Sequence, residues 1–389
     1  MKKKICIVTG SRAEYGLFYP LLKEIKKDSV FHLQILATGM HLSSVYGLTY
    51  KEILRDGFKI AEKVKIPLED DTAEGISRSL GLGVIGLAVA FKRLKPDMVV
   101  LLGDRYETYA AAIAAFFARI PIAHLHGGEI TQGAMDDAIR HAITKMSLLH
   151  FTSAKEHRQR VIQLGENPRT VFNVGALGID NIERTKLLFK KDLEKELGFE
   201  LNGKVALVTF HPVTLENNTS KKQFEQILSA LDKFKDLKVI FTKPNCDMDG
   251  KIIVKLIDQY VKGKKGRAIA FTSLGRIKYL SLMKHVDVIL GNSSSGIIEM
   301  PSFGKPTVNV GDRQRGRVAA KSVIDCAPTV KKISSALKKA FSSSFVKFCK
   351  IIKNPYSRGN VAKKIYRVIK SKVNNLPTIK KVFYTIGKK

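Results

Sequence analysis

Short apolar runs alternate with amphipathic stretches along the first half of the chain. KICIVTG, FHLQILATG, PDMVVLLGD, IPIAHLHGGE and LLHFTSA each read as a strand. Between them, YGLFYPLLKEIKK, DDTAEGISRSLGLGVIGLAVAFKRLK, ETYAAAIAAFFAR, DDAIRHAITKMS and KEHRQRVIQLG repeat their apolar residues at helical spacing. Strands that alternate with helices predict a parallel, doubly wound α/β sheet. A second series starts near Gly203: the strands KVALVTFHP, LKVIFTKPN, RAIAFTS, VDVILGNSS and GKPTVNVGD, with the helices KKQFEQILSALDKF, KIIVKLIDQYVKG and GRIKYLSLMKH among them. Two similar α/β domains are therefore expected, residues 1–180 and 181–354, bridged by ALGIDNIERTKLLFKKDLEKELGFELNG. A terminal helix over 355–375 is expected to pack back on the first domain, and the last dozen residues to fray.

With 389 residues, of which 44% are hydrophobic, the chain can build two full cores. Lys2, Lys3 and Lys4 run straight into a strand, so no secretory leader is expected. The longest apolar stretch, Leu80–Phe91, is short and broken by glycines, which argues against membrane insertion. Four scattered cysteines suit a reduced, cytoplasmic protein without a metal site. The net charge of +32 is less ordinary, and no Asp or Glu follows Asp325. Such a balance can serve a phosphate-bearing partner. The lysines are dispersed, however, lack interleaved aromatics and fall largely on polar helix faces. That pattern describes a solvated surface rather than a nucleic-acid or membrane-binding one.

Candidate chemistry gathers where strands end, as it does in open α/β sheets. TGSRAEYG offers Arg12, with Gly10 and Gly16 for turning, but not the G-x-G-x-x-G fingerprint of a dinucleotide site. In GDRYE, Asp104 is the better acid–base candidate, because Glu107 in a helix's first turn is explained by the helix dipole. In HLHGGE, His124 and His126 alternate; His124 reads as structural. DDAIRHAITK puts Asp136, Asp137, Arg140 and His141 at a helix start, with Asp136–Arg140 and Asp137–His141 four apart. In the second series, GNSSSGIIE runs from a strand into a Ser/Gly loop and a helix, which suits phosphate, with Glu299 one turn on to hold a ribose diol. GDRQRGR adds Arg313, Arg315 and Arg317 for a diphosphate.

Taken in order, SRAEYG, GDRYE, HGGE, DDAIRHAITK, FHPVT, GNSSSGIIE and GDRQRGR resemble the hydrolysing UDP-N-acetylglucosamine 2-epimerases, from Ile5 to about Ile369. The resemblance implies a GT-B fold of two Rossmann-like domains, with nucleotide held mainly by the second. It implies that Arg12, Ala13 and Glu14 line the nucleotide-sugar site, and that His211, Asn245, Ser293, Ser294, Glu299 and Arg313 hold UDP. Asp104 and Asp136 match catalytic carboxylates, and His211 joins them in the catalytic set. Several relatives carry a catalytic glutamate just before the two glycines; here that position is His126, with Glu129 three residues on. Histidine can take over as a neutral base or cationic acid. The family uses no cofactor or metal, and its relatives suggest a homodimer. Its substrates include UDP-N-acetylglucosamine, UDP-2,4-diacetamido-2,4,6-trideoxyglucose and a GDP-linked sugar, en route to nonulosonic (sialic, legionaminic) acids. A GT-B glycosyltransferase is the competing expectation, but transfer needs no group to accept a C2 proton.

Overall fold

The computed structural model describes residues 2–68, 70, 72–216, 218–244, 250–374 and 379–387. It divides into two units: 1–129, 136–181 and 358–389 form the first, 130–135 and 182–357 the second.

The first unit is built on β1 (Lys3–Thr9), β2 (Phe31–Thr38), β3 (Glu62–Val64), β4 (Met98–Leu102), β5 (Ile122–Leu125), β6 (Leu149–Thr152) and β7 (Val171–Asn173). Their order, β3-β2-β1-β4-β5-β6-β7, is parallel throughout. The direction of winding reverses between β1 and β4, so the loops after these strands diverge and leave room for a ligand. Every residue of β4 and β5 is buried, which is why these stretches read as unbroken apolar runs. Helices cover both faces, giving one core around Phe18, Leu21 and Ile25 and another around Leu87, Ala110 and Ala111.

The helix Val361–Lys372 contributes Val361, Ile365 and Ile369 to the first of these cores. Its start is fixed by Asp180, whose two carboxylate oxygens accept from the amides of Val361 (2.7 Å) and Ala362 (2.8 Å). The expected fraying does not occur over 379–387. Tyr384 N–H donates to Gly165 O (2.8 Å), and Lys381 Nζ donates to Glu166 Oε2 (2.6 Å) and to the carbonyls of Lys145 (2.8 Å) and Ser147 (2.7 Å). One lysine thus satisfies carbonyls at the end of the helix Asp136–Met146.

The glycines of Leu80–Phe91 do not break the helix either. Ala73–Leu94 is a continuous 22-residue helix, long and apolar enough by composition to cross a membrane. A Cβ on Gly83 would come within 2.9 Å of Ile66 and 3.2 Å of Ala110, so this glycine serves close packing on its neighbours. Gly16, expected in a turn, lies inside the helix Arg12–Lys27, where its carbonyl accepts from Asn181 Nδ2 (2.6 Å).

The second unit repeats the plan with β8 (Val205–Thr209), β9 (Lys238–Thr242), β10 (Ala268–Phe271), β11 (Val288–Gly291), β12 (Thr307–Val310) and β13 (Val323–Cys326). The order β10-β9-β8-β11-β12-β13 is again parallel, with the reversal between β8 and β11. At that point Gly291 has φ +133°, and a Cβ there would lie 2.0 Å from Thr209 O. Only glycine lets β11 turn out beside β8. The segment 130–135 packs within this unit: Gln132 N–H donates to Arg315 O (3.2 Å), Leu215 N–H to Gly133 O (3.3 Å) and Met135 N–H to Thr214 Oγ1 (3.0 Å).

Candidate active site

In the first unit, the loops after β1, β4 and β5 carry the candidate groups. Ser11 caps the helix Arg12–Lys27, accepting from Glu14 N–H (3.4 Å). Arg12 is half-buried and Ala13 exposed, while Glu14 turns inward and accepts from Gly10 N–H through Oε2 (2.7 Å). Glu107 meets it there. A Cβ on Gly10 would lie 2.4 Å from Glu107 Cγ, so glycine at 10 is what admits the carboxylate. Glu107 is 1% exposed and accepts from Arg105 Nε (2.8 Å). Glu107 does lie in the first turn of the helix Tyr106–Phe117, as expected, and it is buried there. Burial, then the charge of Glu107, push the Glu14 carboxyl above the usual carboxylate range, against the pull of Arg105 and the backbone amides.

Asp104 is held from below. Arg140, fully buried, directs Nε (2.7 Å) and Nη2 at Asp104 Oδ2. Its Nη1 donates to Glu129 O (2.8 Å) and Asp137 Oδ1 (3.2 Å). Burial works against the Arg140 charge, but Asp104, Glu129 and Asp136 more than offset it and raise its pKa. Arg140 thus also bonds Asp137, three residues back. Asp136 opens the helix half-buried and acts on Arg140 through its charge. The expected Asp137–His141 pair is present at 3.5 Å, and burial lowers the His141 pKa.

His124 and His126 part company. His124 is sealed in β5, its Nε2 2.8 Å from Gly103 O and its Nδ1 3.1 Å from Thr144 Oγ1. Burial lowers its pKa to about 3, so it is a neutral pin under the β4 loop. β5 ends at Leu125, and His126 takes φ +66°, a left-handed conformation uncommon outside glycine. Its amide donates to Phe151 O (2.8 Å), and its Nδ1 lies 3.1 Å from Glu129 Oε1. Its Nε2 is buried without a hydrogen-bond partner among the described residues.

In the second unit the loops after β8, β11 and β12 converge. Asn292, fully buried, accepts from His211 N–H through Oδ1 (2.7 Å) and donates from Nδ2 to His211 O (2.8 Å). Asn292 O in turn accepts from Arg313 Nη1 (3.2 Å) and Gln314 Nε2 (2.9 Å). One asparagine thus fixes His211 and Arg313 together. Sequence reading passed over it as part of a serine loop, although a polar side chain at the end of a buried strand was the available signal. Ser293 caps the short helix Ser294–Ile298, and Ser295 bonds Tyr279. Glu299 is not one turn into a long helix; it closes this five-residue one, half-buried. Desolvation pushes its carboxyl up to about 7. Arg315 is exposed and paired with Asp312. Asn245 lies outside the described residues.

A family model described as UDP-N-acetylglucosamine 2-epimerase matches residues 23–370. A GDP/UDP-N,N'-diacetylbacillosamine 2-epimerase (hydrolyzing) of Campylobacter jejuni is 44% identical, over 88% of this chain and 89% of its own. Polysialic acid biosynthesis protein P7 of Escherichia coli is 38% identical, over 99% and 98%. Among solved structures, the UDP-GlcNAc 2-epimerase of Neisseria meningitidis bound to UDP-GlcNAc superposes with a TM-score of 0.79 at 20% identity, covering 95% of this chain and all of the other. At that identity the likeness speaks for the fold: two Rossmann-like domains of the GT-B class.

Proposed function

The chain belongs to the UDP-N-acetylglucosamine 2-epimerase family, and from that premise we propose that it is a hydrolysing nucleotide-sugar 2-epimerase acting on UDP-2,4-diacetamido-2,4,6-trideoxyglucose. The 44% identical relative, named for the diacetamido sugar, favours that substrate over UDP-N-acetylglucosamine. The product is the free C2 epimer, for nonulosonic acid synthesis, and the relative named for polysialic acid synthesis supports that destination.

The observation that carries the reading is the buried, unpartnered Nε2 of His126, together with the shared hold of Arg140 on Asp104 and on the Glu129 backbone. A sugar C2–H is not acidic, since no carbonyl adjoins it. Breaking the C1–O bond first changes that: UDP leaves with the bonding pair, C1 gains oxocarbenium character, and C2–H becomes removable. A basic group takes the proton and leaves a glycal. Water then adds at C1, and a proton returns to C2 on the opposite face. Two proton-handling groups are required, and His126 with Asp104 or Asp136 supplies them. Arg12 and Glu14 border the sugar; Ser293, Ser294 and Arg313 stabilise the departing diphosphate, Asn245 and Glu299 bind the nucleoside, and His211 serves both.

We assign the enzyme to the cytoplasm, as a homodimer. An apolar stripe of Leu82, Ile85 and Val89 on the helix Ala73–Leu94, with Phe116 and Phe117 at the end of the neighbouring helix, stands exposed and suits a second copy. The deciding experiment is turnover in deuterated water with a panel of nucleotide sugars and no acceptor. Released sugar, epimerised and carrying deuterium at C2, is expected. Retention of the original hydrogen at C2, or release only with an acceptor, refutes the reading.

A further inference from the structure

Behind His126 runs a chain of hydrogen bonds that the reaction above does not by itself require. Glu129 Oε1 lies 3.1 Å from His126 Nδ1 and accepts from Ser153 Oγ (2.7 Å), and Ser153 Oγ lies 2.9 Å from His157 Nδ1. Glu129, Ser153 and His157 are all buried. The proton positions follow from donor counting. A carboxylate only accepts, so His126 must present Nδ1–H to Glu129. The single hydroxyl proton of Ser153 is spent on Glu129, so His157 must donate its Nδ1–H to Ser153. Every bond then points toward one carboxylate, and in neutral His126 the lone pair is left on Nε2, the atom that is buried and unpartnered.

We infer that Glu129 is a positioning residue that locks His126 in the Nδ1–H tautomer and makes Nε2 the proton-handling atom, while Ser153 and His157 hold Glu129 in that orientation. What Nε2 does for a sugar rests on the proposed function; the tautomer does not. The backbone supports the arrangement. The left-handed turn at His126 is followed by Gly128 at φ +79°, where a Cβ would lie 2.3 Å from His157 O, and Arg160 donates to Gly128 O. The loop is thus pressed onto the helix Lys155–Gln163 that carries His157.

Around the pair, Arg140 is bonded to Glu129 O and to Asp104, Arg160 to Gly128 O, and His157 to Ser153. In such a setting, neutral His126 can accept a proton at Nε2 and be stabilised by Glu129 once charged, the division of labour of a carboxylate–imidazole pair.

The test begins with the wild-type protein and so needs no variant to fold. Histidine is labelled with nitrogen-15, the His126 ring is assigned by its loss in His126→Gln, and its tautomer is read from the two ring nitrogens above the histidine titration. A protonated Nδ1 and an unprotonated Nε2 are expected; the reverse overturns the inference. In Glu129→Gln the share of the Nδ1–H tautomer at His126 should fall. Turnover should drop by about 10²-fold or more with KM held within about twofold, and Glu129→Asp should restore part of it. A Glu129→Gln enzyme with unchanged His126 tautomer and turnover also overturns the inference. If the tautomer and its loss in Glu129→Gln are found but no nucleotide sugar is hydrolysed, the failure lies in the proposed function and not in the pair.

Discussion

Glu299 offers a test in which stability and binding must move together. Its carboxyl sits at the end of the Ser294–Ile298 helix, and desolvation alone pushes it up to about 7 from its ordinary 4.5. The folded protein therefore keeps a proton that the unfolded chain releases. Stability from this group is present below the unfolded value and is lost as the pH rises through the folded one. The difference between these two values corresponds to about 3 kcal/mol at about 1.4 kcal/mol per pH unit. Glu299 is half-buried, so solvent screening makes this a ceiling. Glu299→Gln, neutral at every pH, should match the wild type near pH 5 and exceed it in stability near pH 8, as read from urea unfolding at the two pH values. Binding a ribose diol reverses the preference, because the ionised carboxylate is the better acceptor. Titration calorimetry with UDP, and with uridine to remove the phosphate's own titration, should show proton release on binding below pH 7. Affinity should weaken by up to about tenfold per pH unit there, and Glu299→Gln should abolish that dependence while binding more weakly, by roughly 1.5–3 kcal/mol. A stability difference that stays flat from pH 5 to 8, with pH-independent binding of uridine, refutes the reasoning.

Asp104→Asn and Asp136→Asn should each lower turnover by about 10²–10⁴-fold, measured as sugar release at saturating substrate. Asp104→Asn should also lower the melting temperature, and by more than Asp136→Asn, because the fully buried Arg140 loses the charge that receives its Nε and Nη2. Equal melting temperatures for the two variants would show that Arg140 does not depend on Asp104. Lys381→Ala should destabilise the protein by roughly 1–3 kcal/mol in urea unfolding at neutral pH. Glu166 is held near 2, against its burial, by hydrogen bonds from His150, Lys145 and Lys381. Because this pKa is depressed, the effect should be present above pH 4.5 and fade as the pH falls toward 2.

The strands that flank the candidate site were legible because they are buried on both faces and read as plain apolar runs, VVLL and VALV among them. The elements that escaped lie at sheet edges or carry charge. β3 reads EKV and β13 VIDC, each short and partly exposed, and the helix Val330–Ala340 is thick with lysine and serine. The site itself was legible where a polar residue directly follows an apolar run, as at Asp104. It was not legible where the decisive partner comes from another loop. Nothing near Glu107 in sequence announces that it turns back to fill the space left by Gly10. Nor does any spacing reveal that Ser153 stands behind Glu129, or that Asn292 clasps His211. The tail looked frayed because lysines and aromatics near a terminus resemble solvated chain. Its order depends on Glu166, a buried acid far away in sequence whose need for cations only the folded structure shows.

The path of the chain limits how such an enzyme can be taken apart or rebuilt. Six residues, 130–135, leave the first unit to pack in the second and then return, and the C-terminal segment from 358 closes the first unit after the second is complete. Neither unit is a contiguous module. A gene fragment encoding 182–357 would lack the strip that receives Leu215 N–H and lends its own amides to Arg315 and Thr214. A fragment ending at 181 would leave Asp180 without the amides of Val361 and Ala362. Chimeras that exchange the second unit should therefore carry 130–135 along with it and keep the native C-terminus. A single crossover near 181 is expected to give insoluble protein, whereas a transplant respecting these four junctions should not.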